Sequence, residues 1–256
     1  MAVNRSFAVT PSPDIPAPAD ATIGFRPLYR QVQEVLVQRI ASGRWRAGEA
    51  IPSEFEIAAD LATSQGTVRK ALDEMAADNL VVRQQGRGTF VARHDDARIL
   101  FQFFKLVPDR GEPRFPESRV LSVKSGRAAA AEAQNLGLSR GASILRLIRE
   151  RSLGGRVVIL EHITLPAEPF APLRDGPVPN NLYELYATRF GVTIARARER
   201  LKAVAAGPAE SRSLHVAEGA PLLLIDRIAA AIDGRPVEWR VSICRTDDLH
   251  YLSDLK

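Results

Sequence analysis

The sequence predicts an α+β chain of two units, an N-terminal winged helix-turn-helix and a larger C-terminal domain of helices on an antiparallel sheet. Three observations carry this. Between Ser53 and Val91 come two helix starts, a tight turn, a basic helix and a Gly-Arg-Gly hairpin, in the order a winged helix-turn-helix needs. The run from Leu136 to Arg149 returns from Leu214 to Arg227 at a constant offset of 78 residues. A length of 256 residues exceeds one winged domain and fits two domains.

Residues 1–24 hold four prolines, little charge and no apolar run fit for a signal peptide, which predicts a disordered tail. The winged unit is expected over residues 25–93. Its first helix carries the apolar stripe Leu28, Val32, Val35, Leu36 and Ile40, and Ala41-Ser42-Gly43 stops it. Ser53 followed by Glu56 spells a capping box, so a short helix starts there with Phe55, Ile57, Ala58 and Leu61 as its buried stripe. Ala62 and Thr63 make the turn. Ser64 then caps a second helix in which Val68, Ala71, Leu72 and Met75 recur at helical spacing, while Gln65, Thr67, Arg69 and Lys70 project from its opening turns. In such a unit the second helix enters the major groove, which makes Gln65 and Arg69 candidate base readers and Thr67 and Lys70 candidate phosphate contacts. After Leu80 the text turns extended, and Gly86-Arg87-Gly88 forms the tip of a hairpin whose glycines let the turn approach a DNA backbone. Arg87 is then free to enter a minor groove or grip phosphate. The caps Ser53 and Ser64, with Arg83 on the wing strand and Gly86 and Gly88 at its tip, complete the candidate DNA contacts.

A polar joint, His94-Asp95-Asp96-Ala97-Arg98, marks a linker over 94–100, and the second domain is expected over 101–256. Phe101, Phe103 and Phe104 read as its first strand. Each copy of the repeat follows an Ala-rich helical run, with Ala-Glu at Ala131-Glu132 and Ala209-Glu210, and precedes a Gly-Arg pair that opens another strand, Gly155-Arg156 and Gly234-Arg235. The unit is helix, strand, hairpin, strand. Two such copies argue for a pseudo-symmetric domain around an antiparallel sheet, because a solenoid needs at least about three shorter repeats. On the first strand Leu145, Leu147, Arg149 and Arg151 share one face, and Arg146, Ile148 and Glu150 the other. Two arginines beside leucines suit an anion. Glu161 lies opposite them if the turn is the two residues Gly154-Gly155, and on their face if it is the three residues Leu153 to Gly155 with a bulge. The alternative use of Arg149 and Arg151 is in cross-strand ion pairs, with Asn181 and Glu184 as a capping box.

Hydrophobic residues make up 45% and charged residues 25%, as in ordinary globular chains, and the net charge of +5 suits a polyanionic partner. A single cysteine, Cys244, excludes an internal disulfide, and the four histidines are too scattered for a zinc set. No Ser-His-Asp set, Walker loop or dinucleotide fingerprint occurs, so an enzyme and a cofactor are not expected. No run of about 18 apolar residues occurs, which excludes a membrane helix and predicts a cytoplasmic protein. Trp45 reads as core, and Trp239 as cavity wall or interface.

The first half resembles the DNA-binding domain of the GntR family of bacterial transcription regulators. The residues that carry this are Pro27-Leu28-Tyr29, Gly43 to Gly48, Ile51-Pro52-Ser53-Glu54, Thr67 to Leu72 and Gly86 to Val91. Two positions depart from the family: Phe55 stands where a polar or basic DNA contact is common, and Gln65-Gly66 where Arg and a larger residue are common. The second half resembles the UTRA effector domain of the HutC subfamily, which has a chorismate-lyase-like fold. Here the residues are Arg149-Glu150-Arg151, Gly155, Glu161, Pro166, Asn181 to Leu185, Phe190-Gly191, Pro236-Val237-Glu238, Arg245 and Asp247. The resemblance implies that Arg149, Arg151, Glu161, Asn181 and Glu238 line a small-molecule pocket, with Glu161 on the arginine face. Asn181 replaces the serine of relatives that sense amino-sugar phosphates. It further implies a homodimeric repressor that binds a pseudo-palindromic operator in double-stranded DNA and answers to a small acidic metabolite, a carboxylate or a phosphorylated compound. The alternatives are an enzyme of the lyase-like fold and a DNA binder without a ligand.

Overall fold

The structure, a computed structural model, describes residues 27–93 and 104–253. The expected tail and linker, with Phe101 and Phe103, lie outside these residues.

The N-terminal unit is three helices and a hairpin: α1 (Leu28–Ala41), α2 (Glu54–Asp60), α3 (Gln65–Ala77), β1 (Val81–Gln84) and β2 (Gly88–Val91). From α3, Val68, Ala71, Leu72 and Met75 are all fully buried, and Val32, Leu36 and Ile40 of α1 join them with Trp45, Ile51, Leu80 and Val91. The expected stripe of α1 is too wide. Val32, Leu36 and Ile40 form one ridge at four-residue spacing, whereas Leu28 in the open first turn is 54% exposed and Val35, off that ridge, 40%. On α2 the correction is larger. Ile57 and Ala58 are buried and Leu61 half-buried, but Phe55 is 73% exposed. A helix of 7 residues offers the core one face, and Phe55, two residues before Ile57, lies about 200° around from it. The wing closes through Gln84 paired with Gly88, with Gly86 and Gly88 at φ of 71° and 108°. Only glycine adopts these angles without strain.

The C-terminal unit is a six-stranded antiparallel sheet in the order β4-β5-β6-β9-β8-β7. In chain order it comprises β3 (Leu106–Pro108), β4 (Glu117–Arg127), α4 (Ala130–Leu136), β5 (Ser143–Leu153), β6 (Arg156–Pro166), α5 (Ala167–Phe170), a 3-10 turn (Ala171–Arg174), α6 (Leu182–Phe190), β7 (Ile194–Ala205), α7 (Pro208–Leu214), β8 (Pro221–Ala231), β9 (Pro236–Cys244) and β10 (Leu249–Tyr251). The repeat is therefore one strand longer than the sequence suggests. Each copy is strand, helix, strand, hairpin, strand, and a pseudo-twofold axis runs between β6 and β9. Helices α4 and α7 pack crosswise on the central strands, α4 on β9 and α7 on β6. Leu145, Leu147, Ile159, Ile225 and Phe170 form a core with Tyr183 and Tyr186 of α6 on the other face. Ala195 and Ile232 of this unit pack against the core of the first.

The β5–β6 turn resolves the placement of Glu161. It is the two-residue form, Gly154-Gly155 at φ of 56° and 79°, with Leu153 opposite Arg156 and Ser152 opposite Val157. The expected three-residue loop is absent, yet Arg149 pairs with Glu161, because the register slips between Ser152 and Arg151, and Arg151 faces Ile159. Val158 is the extra residue of a bulge, and its carbonyl accepts the Arg245 N–H at 2.9 Å. The same slip recurs in the second copy between Ala230 and Ala229, with Val237 as the extra residue and Arg227 opposite Arg240. The two bulges place four polar side chains, Arg149, Glu161, Arg227 and Arg240, on one face around the axis.

Candidate DNA-binding face and buried cavity

On the first unit the capping box forms as its residues dictate. The Ser53 hydroxyl accepts the Glu56 N–H at 3.2 Å, and the Glu56 carboxylate accepts the Ser53 N–H at 2.8 Å. Ser64 caps α3 by accepting the Thr67 N–H at 3.1 Å. Both serines hold helix starts.

The organising group at this edge is Glu54. Its carboxylate accepts from Arg69 Nε at 2.9 Å, from Arg83 at 2.8 Å and from Gln65 at 3.3 Å. Burial alone would raise its pKa, but the Arg83 and Arg69 hydrogen bonds outweigh that and hold it below the usual carboxylate value. Glu54 thus stays ionised and fans the α3 side chains. Arg83 also reaches Asp73 at 2.7 Å and the Arg69 carbonyl at 3.2 Å, which makes it a strut between wing and helix more than a free DNA contact. Lys70 stands 4.2 Å from the Tyr29 ring centroid, on the α1 side. Gln65, Arg69 and Arg87 are exposed. With Arg87 alone at the wing tip, Arg87→Ala is expected to weaken DNA binding evenly across sequences and to lower the salt slope by about one, measured by anisotropy over a salt series.

Beneath the sheet of the second unit lies a small cavity, open at one side, with about 30 Å³ of enclosed space. Arg149, Arg151, Glu161, Asn181, Arg227 and Arg240 line it, together with Lys105, Asn180, Tyr183, Ser242 and Cys244. Arg149 donates to Glu161 at 2.5 Å and to the Asn180 carbonyl at 3.1 Å, tying β5 to the approach of α6. Arg240 reaches Glu161 at 3.3 Å. Burial would raise the Glu161 pKa, but Arg149, Arg240 and Arg151 drive it well below the usual range, so it is ionised. Among the described residues Glu161 is the one carboxylate on this wall, facing four arginines and Lys105.

Arg151 is the group left short. Its guanidinium lies 5.1 Å from the Phe104 ring and 4.6 Å from that of Phe115, and one nitrogen donates to the Pro116 carbonyl at 3.2 Å. Glu161 is 3.9 Å away, and the buried Arg151 Nε has no hydrogen-bond partner. Burial and the neighbouring Arg149 push its pKa down to about 9. A cation so placed is stabilised by an incoming anion. Asn180 Oδ1, also buried on this wall, lacks a donor. Asn181 is the N-cap of α6 and accepts the Glu184 N–H at 3.0 Å. Burial pushes the Cys244 thiol up, so it stays protonated.

Glu238 requires a correction, because it stands behind the cavity instead of lining it. It is 0% exposed and accepts from the Tyr183 and Tyr186 hydroxyls at 3.1 and 2.9 Å and from two nitrogens of Arg240 at 2.9 and 2.8 Å. Its work is to hold Arg240 and Tyr183 in place. Trp239 is not a wall of this cavity either. It points to the opposite face, where its Nε1 donates to Asp226 at 2.7 Å.

Arg227 and Arg240 are cavity residues that the sequence reading left out. For Arg227 the repeat is the signal, since it is the copy of Arg149. Arg227 is held by Glu199 at 2.6 Å, and Glu199 also takes the Tyr251 hydroxyl. Arg227 and Lys105 line a second cleft as well, between Asp78 and Asn79 at the end of α3 and Ala195 to Ala197 of β7.

Comparison with known proteins agrees with both halves. The profile of the UTRA domain matches residues 112–250, and that of the gntR family of bacterial regulatory proteins matches residues 28–91. The chain is 28% identical to the HTH-type transcriptional repressor NagR of Bacillus subtilis, over 90% of this chain and 96% of that protein. It is 31% identical to the HTH-type transcriptional regulator Rv0792c of Mycobacterium tuberculosis, over 84% of this chain and 81% of that one. The ligand-binding domain of a GntR-family regulator from Bordetella bronchiseptica is 34% identical and superposes with a TM-score of 0.56, covering 61% of this chain and 99% of that domain. With a helix-turn-helix whose basic helix faces outward and a domain folded around a cationic cavity, the chain belongs to the GntR family of transcriptional repressors, in the HutC-type branch that carries a UTRA effector domain.

Proposed function

We propose that this repressor works in the cytoplasm as a homodimer, that its two heads occupy the half-sites of a pseudo-palindromic operator, and that a small acid in the cavity governs its release. The observation that carries the reading is the cavity wall: four buried arginines face one carboxylate, two of them, Arg227 and Arg240, held from behind by Glu199 and Glu238, while the Arg151 Nε lacks a partner. Such a wall favours a carboxylate or phosphate group, which guanidinium groups bind in bidentate fashion. The unpaired Asn180 Oδ1 favours a hydroxyl or amine on the same ligand. A ligand shifts an equilibrium only by binding one arrangement better than another. An anion that draws on Arg227 competes with Glu199 for it, and Glu199 bonds Tyr251 of β10. Strand β10 pairs with β3, which follows the linker to the heads. The separation of the two recognition helices then changes relative to the half-site spacing.

The test is fluorescence anisotropy with the DNA upstream of the gene against a scrambled duplex, across a salt series, followed by addition of small carboxylates and phosphates. Sequence-selective binding lost on addition of one class of acid is the expected result; selective binding unmoved by any acid would remove the effector reading. In the same assay Arg69→Ala is expected to cost about 1–3 kcal/mol and to relax preference at one base pair per half-site.

A further inference from the structure

We infer that Phe55 is a specificity-determining residue for the operator, its ring lying against the 5-methyl group of a thymine at the edge of the base contacts. This rests on α3 lying in the major groove. Among the large apolar side chains of the described residues, Phe55 is the most exposed at 73%, with Leu28 next at 54%. It is not a frayed end. Phe55 is the second residue of α2, whose start is fixed by the reciprocal Ser53–Glu56 box, and its neighbours Ile57 and Ala58 are buried.

Its position names the occupant. Glu54, the preceding residue, bonds Gln65 and Arg69 on the opening turns of α3 and Arg83 on the wing. The start of α2 therefore sits beside the residues that reach base edges, on a surface whose cations select DNA over an apolar protein. The thymine methyl is the apolar feature of the major groove, and a phenylalanine recognises it by contact. The ring needs no charge partner, and none of its neighbours supplies an apolar cover. Gln65 and Arg69 would read hydrogen-bonding edges, and Phe55 the methyl beside them.

The experiment starts from a duplex selected by the full-length protein from a random library. Each thymine is replaced singly by deoxyuridine, which removes the methyl and leaves the pairing intact, and affinities are measured by anisotropy. One position per half-site is expected to lose about fourfold in affinity, the value of burying one methyl group. Phe55→Ala should lose about the same factor on the thymine duplex and be indifferent to uracil at that position, while every other position behaves as before. Melting curves should match the wild type, since the ring is exposed. Equal loss by Phe55→Ala on thymine and uracil duplexes, or no loss at all, overturns the inference and leaves the DNA reading standing. A change of oligomeric state by sedimentation in place of a methyl effect also overturns it, because the ring then covers a second copy of the chain. Failure of both proteins to select any sequence overturns the DNA reading and this inference with it.

Discussion

Glu238→Ala is expected to destabilise the C-terminal domain by about 3–5 kcal/mol, the cost of leaving a buried charge without its partner. Arg240 is itself buried; burial lowers its pKa and Glu238 and Glu161 raise it, and when Glu238 is removed the strongly basic guanidinium, with Glu161 still at 3.3 Å, keeps its charge. Two tyrosine hydroxyls lose their acceptor in the same step. Glu238→Gln keeps the shape and accepts from the tyrosines but gives up the charge-assisted pair, and an intermediate loss is expected. Urea titration of the full chain measures both, read on the sheet signal, with the wild type alongside. The head has a separate core, so DNA affinity at low temperature should change little. A cost below about 0.5 kcal/mol for the alanine variant would mean that Arg240 finds Glu161 or water instead, and that Glu238 is not its anchor.

Helix α3 was legible because its signal is local: a cap, a 3.6-residue apolar period and a polar outer face lie within 13 residues. The same logic misled at α2, since a helix this short can bury only one face and no periodicity tells which. Glu54 stood inside a recognised motif, but its partners lie 11, 15 and 29 residues further on, and only folding joins them. In the sheet, both faces of β5 and β6 are buried, so apolar residues run on through the bulge at Val158 and give no sign of the slip that turns Glu161. Arg227 is visible through the repeat, but a repeat by itself speaks of architecture and not of a site. Arg240 was harder, because its counterpart by symmetry is Glu161, a residue of opposite charge. Glu238 shares the face of Arg240, as alternation says, and what takes it off the cavity wall is α6, whose tyrosines come from more than 50 residues away.

Arg149→Ala is expected to leave operator affinity unchanged and to remove acid-driven release. Arg149 is 1% exposed and does two things at once: it pairs with Glu161, and it holds the Asn180 carbonyl at the approach to α6. Its loss takes one cation from the anion site and loosens the segment that carries the Asn181 cap, so affinity for the acid should fall about a hundredfold or more. Glu161 keeps Arg240 at 3.3 Å, so the domain should survive the change better than it survives Glu238→Ala. The measurement is the anisotropy assay with the acid titrated to saturation of the wild type, with calorimetry on the same acid. Release that persists in the variant would place the acid elsewhere and sink the assignment of this cavity. Arg149→Lys separates charge from geometry: lysine keeps the positive charge but cannot bond Glu161 and the Asn180 carbonyl with one planar fork. If the charge alone governs the response, the lysine variant answers to the acid almost as the wild type does. If the link between β5 and α6 carries the signal, it binds the acid with modestly reduced affinity and still fails to leave the DNA.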